Sequence, residues 1–207
     1  ILVSDPFGEH IQRRVVRFAN ITFFTRLIMD RKSHWENIYK TKNTDQVSWF
    51  KPHLSKSFEL ILGTKIDKHE PVIDVGGGAS TLVDDLLADG FTSISVLDVS
   101  SESLELSKKR LGKNAQNVNW IVSDITNANL PRNHFALWHD RAVFHFLVEA
   151  EDRKKYEQVL LGSLKSQGFV IISTFSLEGP EKCSGLNIIR HSPETLLKEF
   201  GASFRLI

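Results

Sequence analysis

Three carboxylates, each following a short apolar run, are the residues in this chain whose type and spacing suggest chemistry. The first lies in Val72-Ile73-Asp74-Val75-Gly76-Gly77-Gly78-Ala79-Ser80, the second in Leu97-Asp98, and the third in Ser123-Asp124-Ile125. Glycines at a strand-to-helix turn let a ligand lie close against the backbone at the carboxyl edge of a sheet. A dinucleotide fingerprint, G-x-G-x-x-G, would need glycine at 81, where Thr81 stands. Asp74 at the strand's end would repel a diphosphate, but it suits a ligand that carries an ammonium or a sulfonium. Asp98 is placed to accept hydrogen bonds from both hydroxyls of a ribose. Asp124 stands where a carboxylate or a backbone group reaches an adenine amino group. A lone acid at a strand end is commonly a solvated turn residue; three after successive strands, the first beside three glycines, form a constellation.

The elements that must position these acids are legible from residue 71 onward. Short Val/Ile-rich runs at Val72–Val75, Ser93–Asp98, Val118–Val122, Phe135–His139 and Phe169–Thr174 alternate with amphipathic helices, the pattern of βαβ units and a parallel sheet buried on both faces. Leu82, Val83, Leu86 and Leu87 share a helix face that Gly90 terminates. Ser100 or Ser101 caps the next helix, with Glu102 in its first turn. A longer helix runs from Glu149 to Leu164. Ser192-Pro193-Glu194 starts a last one, and Ala202–Ile207 is expected to begin a sixth strand. The fold class is therefore α/β, a doubly wound Rossmann-like sheet with helices on both faces and its final strands cut short. Residues 32–64 read as two helical pieces broken around Pro52, which divides the chain into an N-terminal helical extension and lid, 1–64, and a core, 65–207.

The series Asp74-x-Gly76-x-Gly78, then Asp98, then Asp124, resembles the successive motifs of class I S-adenosylmethionine-dependent methyltransferases, over most of the chain from about His34 to the end. The resemblance implies that Gly76, Gly77 and Gly78 pass under the methionine portion of S-adenosylmethionine. It also implies that Asp98 with Val99 holds the ribose and that Asp124 with Ile125 lies at the adenine. Ser80 stands where the family has its usual third glycine. A closer likeness is to a mostly bacterial, poorly characterised group of methyltransferases sharing Trp35-x-x-x-Tyr39, Ser48-Trp49-Phe50, the run His139 to Leu147 and Gly179-Pro180-Glu181-Lys182-Cys183-Ser184-Gly185-Leu186. The Asp140-Arg141 pair is also similar to thiopurine methyltransferases. Ala136 departs from an aspartate that the family carries at that place.

Methyl transfer to an acceptor is an in-line displacement, so alignment and exclusion of water carry most of the catalysis, and a base is needed only for a protonated acceptor. The segment after the fourth strand faces the methyl group in such a fold. His139 or Asp140 could therefore take a proton or orient the acceptor, and Arg141 could hold an anionic one, with His139 also at the cofactor. Equally, Asp140 and Arg141 could form an ion pair that fixes the loop, with His145 packed in a helix start. Trp35, Tyr39 and Trp49 read either as a lid over the cofactor or as core aromatics of a two-helix cap. The lone Cys183 reads as a reactive thiol or a small buried residue.

Composition narrows the acceptor. The net charge of the 207 residues is +1, but residues 1–34 hold six Arg/Lys against three Asp/Glu, so the remainder is slightly acidic. A flipped base would need a basic groove, and neither a Pro-Pro motif after the fourth strand nor a Pro-Cys nucleophile is present; nucleic acid is not expected. No apolar run approaches a membrane span, the eight histidines show no metal spacing, and one cysteine suits a reducing, cytoplasmic setting. The basic stretch Arg13 to Arg26 reads as an amphipathic helix packed on the domain or as a targeting segment. The acceptor is expected to be a small molecule, thiol-like or otherwise soft or polar. A protein lysine, or a non-catalytic cofactor-binding role, stands as the alternative.

Overall fold

The computed structural model describes residues 31–41, 50–141 and 143–207. The Arg13–Arg26 stretch and Trp49 lie outside the described residues. Five parallel strands, β1 (Val72–Val75), β2 (Ile94–Asp98), β3 (Val118–Val122), β4 (Phe135–Arg141) and β5 (Leu164–Ser173), form one sheet in the order β3-β2-β1-β4-β5. The chain runs outward from β1 to β3, then returns to lay β4 beside β1. That reversal opens a crevice at the carboxyl ends of β1 and β4, where ligands bind in open α/β sheets.

The mostly apolar, non-alternating runs of β1, β2 and β4 follow from their burial on both faces. Alternate side chains feed two cores. Trp138 and Tyr156 belong to one, and Leu137 with Leu82 and Leu104 to the other. Helix α1 (Arg31–Thr41) buries none of its residues, whereas α2 (Ser55–Gly63) sends Ile61 into the second core. The sheet is flanked by α3 (Leu82–Ala88), α4 (Ser101–Leu111), α5 (Ala150–Ser163) and α6 (Pro193–Phe200). Ser100 caps α4, accepting from Ser103 N–H, and Ser192 forms a full capping box with Thr195 on α6.

Two expectations are corrected. Strand β5 begins at Leu164 rather than Phe169, with α5 running into it without a loop. Residues 165–168 are polar and partly exposed at the sheet's edge, so the apolar signal starts late. No strand forms over Ala202–Ile207. Gly201, at φ 63°, turns the chain out of α6 into a single 3-10 turn, and Phe204 folds back onto the ring of Phe200 at 5.7 Å. A short antiparallel hairpin, β6 (Lys182–Cys183) and β7 (Leu186–Asn187), was not anticipated. Its two-residue turn places Ser184 at φ 51° and Gly185 at φ 79°, the left-handed pair that such hairpins require.

Candidate active site

The crevice between β1 and β4 opens into a cleft of about 140 Å³. Asp74, Asp98 and Asp124 all line it, the last two together with their neighbours Val99 and Ile125. The spatial order β3-β2-β1-β4 sets these three acids in a row along one half of the cleft. Arg141 and Val143 border the other half.

The glycine turn is demanded as much by the protein's own acids as by any ligand. A Cβ on Gly77 would stand 2.5 Å from Asp74 Oδ2, and one on Gly78 would stand 2.6 Å from Asp98 Oδ2. Gly76, at φ 71°, and Gly77 face the cleft, but Gly78 does not; it packs behind, against Asp98 and Ser103. The expectation that all three lie beneath a ligand is corrected to two.

His139 is fully buried and both ring nitrogens are engaged, Nδ1 with Asp74 Oδ1 at 2.7 Å and Nε2 with Ser57 Oγ at 2.9 Å. It fixes the Asp74 carboxylate rather than standing ready to take a proton. Asp140 does not line the cleft. It points to the opposite face of the strand, where Oδ2 accepts from Tyr156 O–H at 2.7 Å and Oδ1 accepts from the Val143 N–H at 2.8 Å. Burial, partly opposed by these donors, pushes its carboxyl up to about 6. The proton-taking role expected of Asp140 is therefore withdrawn: strand alternation turns it into the core, where it holds the turn after β4. Tyr156 in turn accepts from Trp138 Nε1 at 2.8 Å.

Arg141, one residue on, returns to the cleft side. Burial lowers its pKa and the charge of Asp74 opposes that shift. His145 is buried in the 3-10 turn Phe144–Phe146, with neither ring nitrogen hydrogen-bonded, and burial pushes its pKa down to about 3. It is neutral and packs on Phe175 at 5.1 Å. Cys183, on the β6–β7 hairpin, lines the cleft half-buried, and burial raises its thiol's pKa.

Over the row of acids lies α1. Its residues Arg31, Trp35 and Tyr39, one turn apart, all line the cleft. Trp35 meets the ring of Phe146 edge-on at 5.2 Å. Arg31 pairs with Asp152 at 2.5 Å and stands 3.7 Å from Asp124. Phe50, Lys51 and Leu54 close the rim from the segment leading into α2. Sequence reasoning missed Ser57 and Tyr156, which act through partners distant in the chain and carry no local signal.

A protein-family model described as "Methyltransferase domain" matches residues 72–168, which holds all three acids and Arg141. The match and the fold support an S-adenosylmethionine-dependent methyltransferase. The human EEF1A lysine methyltransferase 2 is 23% identical over 198 residues, spanning 89% of this chain and 78% of the relative. A bovine eEF1A lysine and N-terminal methyltransferase is 24% identical over 128 residues, 61% of this chain and 18% of that protein. Among solved structures, a Haemonchus contortus phosphoethanolamine N-methyltransferase 2, in complex with phosphomonomethylethanolamine and S-adenosylhomocysteine, shares the fold with TM-score 0.62 and 15% identity, over 83% of this chain and 41% of that one. A Leishmania major S-adenosylmethionine-dependent methyltransferase does so with TM-score 0.58 and 16% identity, over 81% and 63%. The cofactor of such methyltransferases is a cation at sulfur and at its amino group, and the cleft sets a row of carboxylates beside a bare glycine backbone, acceptors of the opposite charge.

Proposed function

We propose that the protein methylates a small anionic or soft nucleophile, thiol-like in chemistry, and that Arg141 marks the acceptor end of the cleft. The carrying observation is the distribution of charge along the cleft. Asp74, Asp98 and Asp124 line the cleft along β1 to β3, with Arg31 beside Asp124 and Lys51 at the rim, while Arg141, Val143 and Phe146 border the β4 side with Cys183. A lysine ammonium entering beside Arg141 would meet like charge, whereas a carboxylate or a thiolate would be drawn in.

Bound S-adenosylmethionine supplies a methyl carbon already activated by a positive sulfur. Asp98 and Val99 would hold its ribose, Asp124 and Ile125 its adenine, and Asp74, braced by His139, its ammonium. Gly76 and Gly77 leave room for its methionine stem. Trp35 and Tyr39 would cover the cleft and exclude water, keeping nucleophile and methyl aligned. Neither His139, bonded at both nitrogens, nor Asp140, which faces away, offers a ready base. The acceptor would therefore shed its proton to solvent before transfer, which favours acceptors acidic enough to do so.

A protein lysine is the second reading, favoured by the relatives named as lysine methyltransferases, of which the human one spans most of this chain. Tritiated methyl transfer into a cell extract, followed by size fractionation, separates the two. Label in the small-molecule fraction is the expected result, with kcat/KM rising with pH along the acceptor's own ionisation. Arg141→Ala should keep cofactor affinity while raising the acceptor KM about tenfold or more. Label confined to a protein band, with Arg141→Ala fully active on it, would overturn the small-molecule reading.

A further inference from the structure

We infer that Glu36 is a positioning residue for the cofactor, a latch that ties the covering helix α1 to the turn bearing Asp98, so that α1 closure and ribose binding are one event. This rests on the reading of the cleft as the cofactor site.

Glu36 lies on α1 next to Trp35, and its carboxylate reaches across to the first turn of α4, a separation of more than sixty residues in the chain. Oε1 accepts from Ser101 N–H and from Ser101 Oγ–H, both at 2.8 Å. Oε2 accepts from Glu102 N–H and from Ser100 Oγ–H, both at 3.3 Å. One side chain thus takes up four donors at the start of a helix, where anionic charge is favoured by the exposed N–H groups. These donors hold its pKa below the ordinary glutamate range despite the cost of burial.

What Glu36 grips is the turn that shapes the ribose site. Asp98 Oδ1 accepts from Ser100 N–H at 2.8 Å, and Ser100 Oγ accepts from Ser103 N–H at 3.2 Å while donating to Glu36. Asp98, Ser100 and Glu36 therefore form one hydrogen-bonded unit, with Asp98 opening to the cleft on one side and α1 hanging from the other. α1 buries none of its own residues. Its hold on the domain comes from such ties at intervals: Arg31 on Asp152, Trp35 on Phe146 and Glu36 on α4. The Glu36 tie ends on Ser100 and Ser101, in the turn that follows Asp98. A ligand that orders this turn would order the latch, and release of the latch would lift Trp35 and Tyr39 from the cleft.

The test measures S-adenosylhomocysteine binding by calorimetry and its dissociation by stopped-flow intrinsic fluorescence, on wild type, Glu36→Ala, Glu36→Gln and Lys40→Ala. Lys40 also faces α4, in an exposed pair with Glu102 at 3.6 Å, of a kind that contributes little. Glu36→Ala should weaken binding about tenfold or more, mostly through faster dissociation. Glu36→Gln, which keeps one accepting oxygen, should fall between it and wild type, and Lys40→Ala should match wild type. Steady-state kinetics should show a cofactor KM raised more than kcat is lowered, and the ligand-free melting temperature should fall by no more than the few degrees that a lost helix-start acceptor costs. Wild-type affinity and dissociation rate in Glu36→Ala would overturn the latch, and so would weakened binding accompanied by an equal loss of ligand-free stability in both Glu36 variants. Absence of binding to the wild type would instead overturn the cofactor site on which the latch rests.

Discussion

Asp98 carries a cost that its site explains. Burial raises its carboxyl to about 6, with the nearby charges of Asp74 and Glu36 adding to the shift, while hydrogen bonds from Ser100 and Ser103 oppose it. A carboxyl whose folded pKa lies above its unfolded value stabilises the fold below the unfolded pKa. That contribution is lost as pH rises through about 6, a difference of about 3 kcal/mol. The acid is therefore held ionised at neutral pH against the interest of stability. Ribose hydroxyls donate best to the ionised form. S-adenosylhomocysteine affinity should be flat above about pH 6.5 and fall below about pH 6, by up to tenfold per unit. Calorimetry from pH 5 to 8 reads this directly; an Asp98→Asn protein should bind weakly with no such fall. An undiminished affinity at pH 5 would place the ribose elsewhere.

At the scale of elements, the sequence and the structure agree where local rules decide. The strands buried on both faces announce themselves as short, mostly apolar runs, and Ser192-Pro193-Glu194 announces a helix start that the structure completes with a capping box. Ser192→Ala removes the acceptor for Thr195 N–H and should cost about 1 kcal/mol, lowering the melting temperature by about 2–4 °C; a scan with unchanged melting would show the cap to be idle. Where the outcome depends on which face of a strand a residue takes, the sequence is mute. Asp140 and Arg141 are adjacent and both read as candidates for the acceptor site, but alternation along β4 sends one to Tyr156 and the other to the cleft. The Cys183–Leu186 hairpin escaped notice because each of its strands is two residues long, too short to show alternation.

Across the whole molecule, three regions distant in the chain converge on one cleft: α1 and the segment before α2, the carboxyl ends of β1 to β4, and the β6–β7 hairpin. The doubly wound order was legible because it follows from alternating strands and helices. The hydrogen bonds that Glu36 and Ser57 make across the chain were not, since partners separated by more than sixty residues leave no periodic trace. Because the cleft is assembled only in the folded state, a ligand there should stabilise the entire domain. S-adenosylhomocysteine at a hundredfold excess over its Kd should add about 2.7 kcal/mol, and raise the melting temperature by about 5–10 °C. NAD, whose diphosphate would face Asp74, should give no shift. The reverse result would contradict a sulfonium-binding cleft.

The chain of bonds from Trp138 through Tyr156 to Asp140 also gives the protein an internal optical probe. Trp138 is wholly buried, its indole N–H donates to Tyr156, and the Tyr156 hydroxyl donates to Asp140. A change of charge on Asp140 is therefore two hydrogen bonds from a fluorophore that solvent cannot reach. Protonation near pH 6 should alter the field at the indole and shift the blue edge of the emission spectrum. That component of the titration should vanish in Asp140→Asn while the more exposed tryptophan Trp120 keeps its own response. If the spectrum of the wild type and that of the variant change identically with pH, the chain does not conduct charge information. If they differ, the emission colour reports the ionisation of a residue that no reagent can touch.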